Sequence, residues 1–310
     1  MTRVAAIDCG TNTIKLLVAD VDRAAGTQDD LVREMRIVRL GQGVDRTGRL
    51  ADEALDRVFA AVDEYAAVMS DHSVDVVRFV ATSASRDAEN ASVFVDGVRD
   101  RLGVLLEVVS GDEEAQLAYD GATRSLATGG PVVPPIAVLD IGGGSTELIV
   151  GDANGRVTAT RSLDIGSVRV TERLMPSDPP AAGELADAGR LVDEALDTLP
   201  SYGVHVGDAP TFVGVAGTVT TMGTLLLGLR TWDRDRVHHA SFPLRQVHDL
   251  AARVVAMTVA EREQLGVPAG RSDVIGAGAL ILDRVLRRVG AERLTVSDSD
   301  ILDGIAWSVA

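Results

Sequence analysis

"VLDIGGGSTELIVGD", Val138 to Asp152, is an apolar run with an acid near its end, then three glycines and two hydroxyls, then a second apolar run. "AIDCGTNTIKLLVAD", Ala6 to Asp20, does nearly the same. Overlaid, the two stretches match Asp8 with Asp140, Gly10 with Gly142, Thr13 with Ser145, Leu16 with Leu148 and Asp20 with Asp152, at a constant offset of 132. Downstream, "RFVATSAS" from Arg78 matches "TFVGVAGT" from Thr211 at an offset of 133. Two segments in the same order and nearly one register indicate two related domains. A solenoid would repeat every ~20–50 residues.

The length agrees. At roughly 150 residues per domain, 310 residues suggest two domains, each able to bury a core. Apolar residues make up 46% and aromatics only 3%, so Ala, Val, Leu and Ile must build the interior of a globular chain. No apolar run approaches the ~20 residues that span a membrane. Asp8 interrupts the first apolar run, so no signal peptide is read. A single cysteine, Cys9, excludes an internal disulfide and a cysteine-based zinc site. A cytoplasmic protein with no membrane partner is expected. The net charge of −16 argues against a nucleic-acid partner but leaves an anionic substrate open. Of 30 basic residues only Lys15 is lysine. Arginine suits bidentate phosphate contacts, yet codon bias explains a global excess equally well, so only arginines inside motifs count.

The pattern of elements predicts an α/β fold. Val4–Ile7 and Ile14–Ala19 read as a hairpin, with a third strand at 35–40. A helical period runs over 53–69, a strand over 76–80, a helix over 93–102, a strand over 105–109 and a helix over 110–126. The second half repeats the theme: a hairpin over 136–151, a strand over 157–163, a helix over 184–199 and a strand over 211–215. The breaker-rich "ATGGPVVPP", Ala127 to Pro135, marks the boundary. The expected domains are 1–126, joined by a C-terminal helix at 299–310, and 127–298.

The glycine loops carry the chemistry. Gly142, Gly143 and Gly144 leave backbone amides open to a phosphate, and Ser145 and Thr146 add hydroxyls. Gly10, Thr11, Asn12 and Thr13 offer the same in the first half. A ligand-free tight hairpin is the plain alternative for one loop; two equivalent loops favour anion binding, and both would address one cleft if the domains face each other. Asp8 and Asp140, at the strand ends, either cap their own turns or hold Mg²⁺ through oxygen. Glu147 either joins that metal set or is a cross-strand residue. Ser110 and Glu113 match a capping box, which leaves Glu114 as a helix-start acid or as a base for an attacking water. Ser83 and Arg86 in "ATSASRDAEN", Ser167 and Arg169 in "DIGSVRVTER", and Gly217 and Thr218 in "GVAGTVTT" sit in small-residue loops at strand ends; Arg173 and Arg271 are further candidates. No GxxxxGK loop is present, and the histidines show no ligand spacing.

Together, "AIDCGTNTIKLL", "ATSASRDAEN", "SGDEEAQLAYDGA", "LDIGGGSTEL", "DIGSVRVTE", "GVAGTVTT", "GRSDVIGAG" and "DILDGIA" resemble the exopolyphosphatase and guanosine pentaphosphate phosphohydrolase family. They occur in family order and cover nearly the whole chain. Cys9 replaces a more usual aliphatic residue and Thr13 a more usual serine, which keeps the hydroxyl. The resemblance implies the actin-like, sugar-kinase-like superfold, two ribonuclease-H-like domains around a central cleft, in a short form without the C-terminal helical domain of longer members. It implies hydrolysis of the terminal phosphate of inorganic polyphosphate, with guanosine pentaphosphate as the alternative substrate, Mg²⁺ (or Mn²⁺) as cofactor and a homodimer. It places the catalytic glutamate on Glu114, the metal and phosphate-loop acid on Asp140 with Glu147 beside it, and the second-loop arginine on Arg86. Two competing readings are a kinase of the same superfold and a non-enzymatic alarmone- or nucleotide-binding regulator.

Overall fold

The computed structural model describes residues 1–126 and 132–310. The chain divides into two compact units, Met1–Gly121 with Ile301–Ala310, and Ala122–Asp300. The breaker-rich connection lies partly outside the described residues, at 127–131.

The first unit is built on a five-stranded sheet in the order β3-β2-β1-β4-β5. Its strands are β1 (Thr2–Cys9), β2 (Thr13–Asp22), β3 (Thr27–Ile37), β4 (Val76–Ala81) and β5 (Leu106–Val108). β1 is antiparallel to β2 and parallel to β4. Val4 through Ile7 are apolar because helices cover both faces of the strand, and burial continues through Asp8 to Cys9. Helix Asp52–Asp71 lays Leu55, Val58, Val62, Tyr65 and Met69 into the core, and the Tyr65 hydroxyl donates to Ile14 O at 3.0 Å.

The second unit repeats this order and adds one strand. β6 (Ile136–Ile141), β7 (Thr146–Gly151), β8 (Val157–Leu163), β9 (Thr211–Val215), β10 (Ser241–Pro243) and β11 (Arg293–Val296) lie as β10-β11-β9-β6-β7-β8. Strands β8-β7-β6-β9-β11 thus stand for β3-β2-β1-β4-β5, with the same pattern of parallel and antiparallel pairs. This is the ribonuclease-H-like arrangement, twice, in an α/β chain. β10 is the extra edge, antiparallel to β11.

The third strand of the first unit departs from expectation. It runs over Thr27–Ile37, not 35–40, and pairs with β2 from Asp22↔Thr27 to Thr13↔Ile37. Its sequence, TQDDLVREMRI, is rich in charge because it is a sheet edge, where charge discourages further pairing. Among the described residues no helix is long and apolar enough to cross a membrane.

Candidate functional site

In the first unit the β1–β2 turn is held from outside by its carbonyls. Val38 and Arg39 amides donate to Asn12 O at 3.0 and 2.9 Å, and the Gly41 amide to Thr11 O at 2.8 Å. Gly41 has no room for a side chain, since a Cβ would lie 2.3 Å from Thr11 Cγ2. Gly10 N donates to Thr13 O at 2.9 Å and closes the turn. Among the described residues the amides of Thr11 and Asn12 find no protein acceptor. Asp8, buried at the end of β1, has Lys15 as its cross-strand partner, and Lys15 Nζ stands 3.5 Å from Asp8 Oδ2.

Beside this turn, β4 ends in the short helix Ser83–Arg86. The hydroxyls of Ser83 and Ser85 are buried without a hydrogen-bond partner. Arg86 Nη1 donates to Glu114 Oε2 at 2.6 Å and to Val109 O at 3.0 Å. Its Nε and Nη2 bond to nothing among the described residues, so half of the guanidinium fork is available to an anion. Glu114 lies in the first turn of helix Gly111–Arg124 and is only 8% exposed. Burial pushes its proton affinity above the ordinary glutamate range, against the opposing pull of Arg86 and a hydrogen bond with Thr82. A carboxyl kept hungry for a proton yet paired with a cation suits a general base.

The capping box forms only in part. Ser110 Oγ accepts from the Glu113 amide at 3.2 Å, but the Glu113 carboxylate goes to Arg78 Nη2 at 2.6 Å. Glu113 pairs with Arg78 at the surface, whereas Glu114 pairs with Arg86 and is buried.

In the second unit the glycine loop sits on the start of helix Ser167–Leu174. The amides of Ser167, Val168 and Arg169 donate to Gly142 O, Gly143 O and Gly143 O at 2.9, 2.9 and 3.1 Å. Ser167 Oγ also reaches Gly142 O at 3.2 Å, and Arg169 Nε reaches Gly144 O at 2.7 Å. Gly166 permits this seam: a Cβ there would lie 2.2 Å from Gly143 O. The loop's carbonyls are thereby occupied, while the amides of Gly143, Gly144 and Ser145 donate to no acceptor among the described residues. Three consecutive open amides form an anion-binding nest. Ser167 and Arg169, expected as phosphate ligands, bond the carbonyls of the loop through Ser167 Oγ and Arg169 Nε.

Asp140 ends β6 opposite Glu147 on β7. Glu147 is 1% exposed and accepts from Ser162 Oγ at 2.7 Å. The described residues contain no cluster of three or more His, Cys, Asp or Glu side chains fit to hold a metal. Two neighbouring carboxylates do suit Mg²⁺, which commonly takes one or two protein acids and completes its shell with water and phosphate. Next to these strands, Gly217 and Thr218 open helix Ala216–Leu226. Arg271 packs on them, Nη1 donating to Gly217 O at 3.2 Å and to Thr221 Oγ1 at 3.1 Å.

Three residues of consequence carry no sequence signal for the role they play. Gly166 sits inside "DIGS", beside the serine that carries the motif's hydroxyl, and Arg78 and Gly304 carry no motif chemistry of their own. Their roles depend on tertiary neighbours.

Comparison with known proteins agrees with this architecture. The chain is 45% identical over 322 residues to Exopolyphosphatase 2 of Mycobacterium tuberculosis, across 100% of this chain and 99% of that protein. It is similar to the crystal structure of an exopolyphosphatase-like protein at 41% identity and a TM-score of 0.95, covering 100% of this chain and 98% of the other. It is similar to the Ppx/GppA enzyme of Aquifex aeolicus at 30% identity and a TM-score of 0.82, covering 99% of both. The model of the Ppx/GppA phosphatase family matches residues 17–310, and the chain belongs to that family.

Proposed function

We propose that this chain is an exopolyphosphatase that hydrolyses the terminal phosphoanhydride of inorganic polyphosphate and releases orthophosphate. The observation that carries the proposal is the buried Glu114 with its raised proton affinity, 2.6 Å from Arg86, in a chain with 45% identity to a named exopolyphosphatase.

The open amides of Thr11 and Asn12, and of Gly143, Gly144 and Ser145, bind phosphate oxygens. The unoccupied edge of Arg86 takes part of the negative charge. Glu114 accepts a proton from the attacking water and orients it in line with the leaving oxygen. Charge on the transferred group is spread over its oxygens in the transition state, so positioned donors do most of the catalysis. Asp140 and Glu147 would hold Mg²⁺, which supplies charge neutralisation at the phosphates. Asp8 is a weaker candidate for that metal, because Lys15 already answers its charge.

The test is Glu114→Gln. Turnover should fall by at least about a hundredfold, as loss of a general base predicts, while polyphosphate still binds. Phosphate release should be followed on polyphosphates of graded length beside guanosine pentaphosphate. Undiminished turnover in the variant removes the base assignment. Release from guanosine pentaphosphate alone shifts the substrate within the family.

A further inference from the structure

The helix that carries Glu114 is fixed by contacts with no part in phosphate binding. Gly304, on the C-terminal helix Ile301–Val309, meets it at Leu117. A Cβ at Gly304 would lie 2.0 Å from Leu117 O and 2.7 Å from Leu117 C. These are backbone atoms, so no rotamer change relieves the contact. Leu117 is three residues past Glu114, about one helical turn.

The C-terminal helix is itself anchored. Asp303, 4% exposed, accepts from Arg33 Nη2 at 2.6 Å and from Gln28 Nε2 at 3.0 Å. Trp307 O accepts from Arg23 Nη2 at 2.6 Å. Ser308 Oγ accepts from Arg78 Nη1 at 2.8 Å. Arg78 closes the circuit, because its Nη2 donates to Glu113 Oε1 at 2.6 Å and to Glu107 Oε2 at 2.8 Å. One guanidinium thus ties β5, the end of the C-terminal helix and the first turn that bears Glu114. The catalytic helix is held at Glu113 by a charge clamp and at Leu117 by a missing side chain.

We propose that Gly304 and Arg78 are positioning residues for Glu114: close backbone approach at Gly304 and the Arg78 clamp set where the carboxylate stands. The proposal rests on Glu114 being the base. Its physical basis is the steepness of catalysis with geometry, since a misplacement of about 1 Å can cost on the order of a hundredfold in rate. Gly304→Ala asks for a shift of that size, from 2.0 Å to at least the 3.0 Å below which real Cβ atoms essentially never pack.

Gly304→Ala should lower kcat by about ten- to a hundredfold with KM changed less than about twofold. The acid limb of its pH profile should move, because the Glu114–Arg86 contact opens. Gly97→Ala, on helix Ala91–Leu102 of the same unit, is the control for a methyl group crowded in away from the Glu114 helix: its Cβ would lie 2.3 Å from Phe59 Cζ, and kcat and the pH profile should stay at wild type. Should Gly304→Ala fail to fold, Arg78→Ala and Arg78→Lys carry the same test. Alanine should lose kcat with KM kept, and lysine, which keeps the charge but not the fork, should recover part of it. Wild-type kcat and pH profile in a folded Gly304→Ala, or in Arg78→Ala if the first does not fold, overturn the proposal provided Glu114→Gln is inactive. Full turnover in Glu114→Gln removes the base reading, and the positioning proposal with it.

Discussion

One methyl group added at Gly166 should loosen the glycine loop of the second unit. In Gly166→Ala the new Cβ would stand 2.2 Å from Gly143 O, 2.3 Å from Gly143 C and 2.5 Å from Gly144 C. All three are main-chain atoms, so helix Ser167–Leu174 and the loop must part by about 1 Å to reach ordinary contact. Three amide bonds cross that seam at 2.9, 2.9 and 3.1 Å. Lengthened by about 1 Å they leave hydrogen-bonding range. At about 1 kcal/mol net for each, these three amide bonds alone correspond to a loss of about 3 kcal/mol, reduced by whatever the loop recovers by relaxing.

The same seam keeps the loop carbonyls occupied and so preserves the nest of open amides. Phosphate affinity should therefore fall together with stability. Two measurements follow on Gly166→Ala: the urea midpoint, and KM for polyphosphate. The midpoint should drop, and KM should rise about tenfold, equivalent to about 1.4 kcal/mol, with a smaller change in kcat. A variant with the wild-type midpoint and unchanged KM would refute both the steric argument and the role given to the loop.

Arg86→Ala removes the cation that opposes the burial of Glu114. The carboxyl pKa then rises further, less base is present at neutral pH, and the acid limb of kcat/KM should move to higher pH; a profile superimposable on wild type counts against the pairing. Asp140→Asn should weaken Mg²⁺ binding, measured by calorimetry with phosphate present, by about tenfold or more. Asp8→Asn should change it far less, because Lys15 neutralises Asp8; equal losses from the two would sink the assignment of the metal to the second unit.

The duplicated core is legible because its central strands are buried on both faces. β1 and β6 therefore read as continuous apolar runs broken by an acid and glycines, and their offset exposes the repeat. The edge strand β3 is hidden for the opposite reason: its charged, half-exposed residues resemble a loop. Helix Leu244–Ala256 and β10 are inserted between β9 and β11, where the first unit has neither, so the repeat holds no hint of them. At the site, residue type is ambiguous where geometry is not. Ser167 and Arg169 offer donors that suit a phosphate or a carbonyl equally, and only the fold assigns Arg169 Nε to Gly144 O. Close approaches at Gly166 and Gly304 lie between segments far apart in sequence, beyond any local pattern.

Duplication also explains how a near-symmetric scaffold carries unlike chemistry in its halves. The residue facing the strand-end acid is Lys15 in one unit and Glu147 in the other, at the same register position. A lysine there makes Asp8 self-neutralising, whereas a second acid beside Asp140 concentrates negative charge and favours a cation. The same logic reaches the helices that follow the fifth core strand of each repeat. After β5 comes the helix with Glu114; after β11 comes the helix with Gly304, and the two meet within the first unit at Leu117. One copy carries Glu114, the carboxylate proposed above as the base, and the other supplies the close backbone surface at Gly304 against which that helix is set.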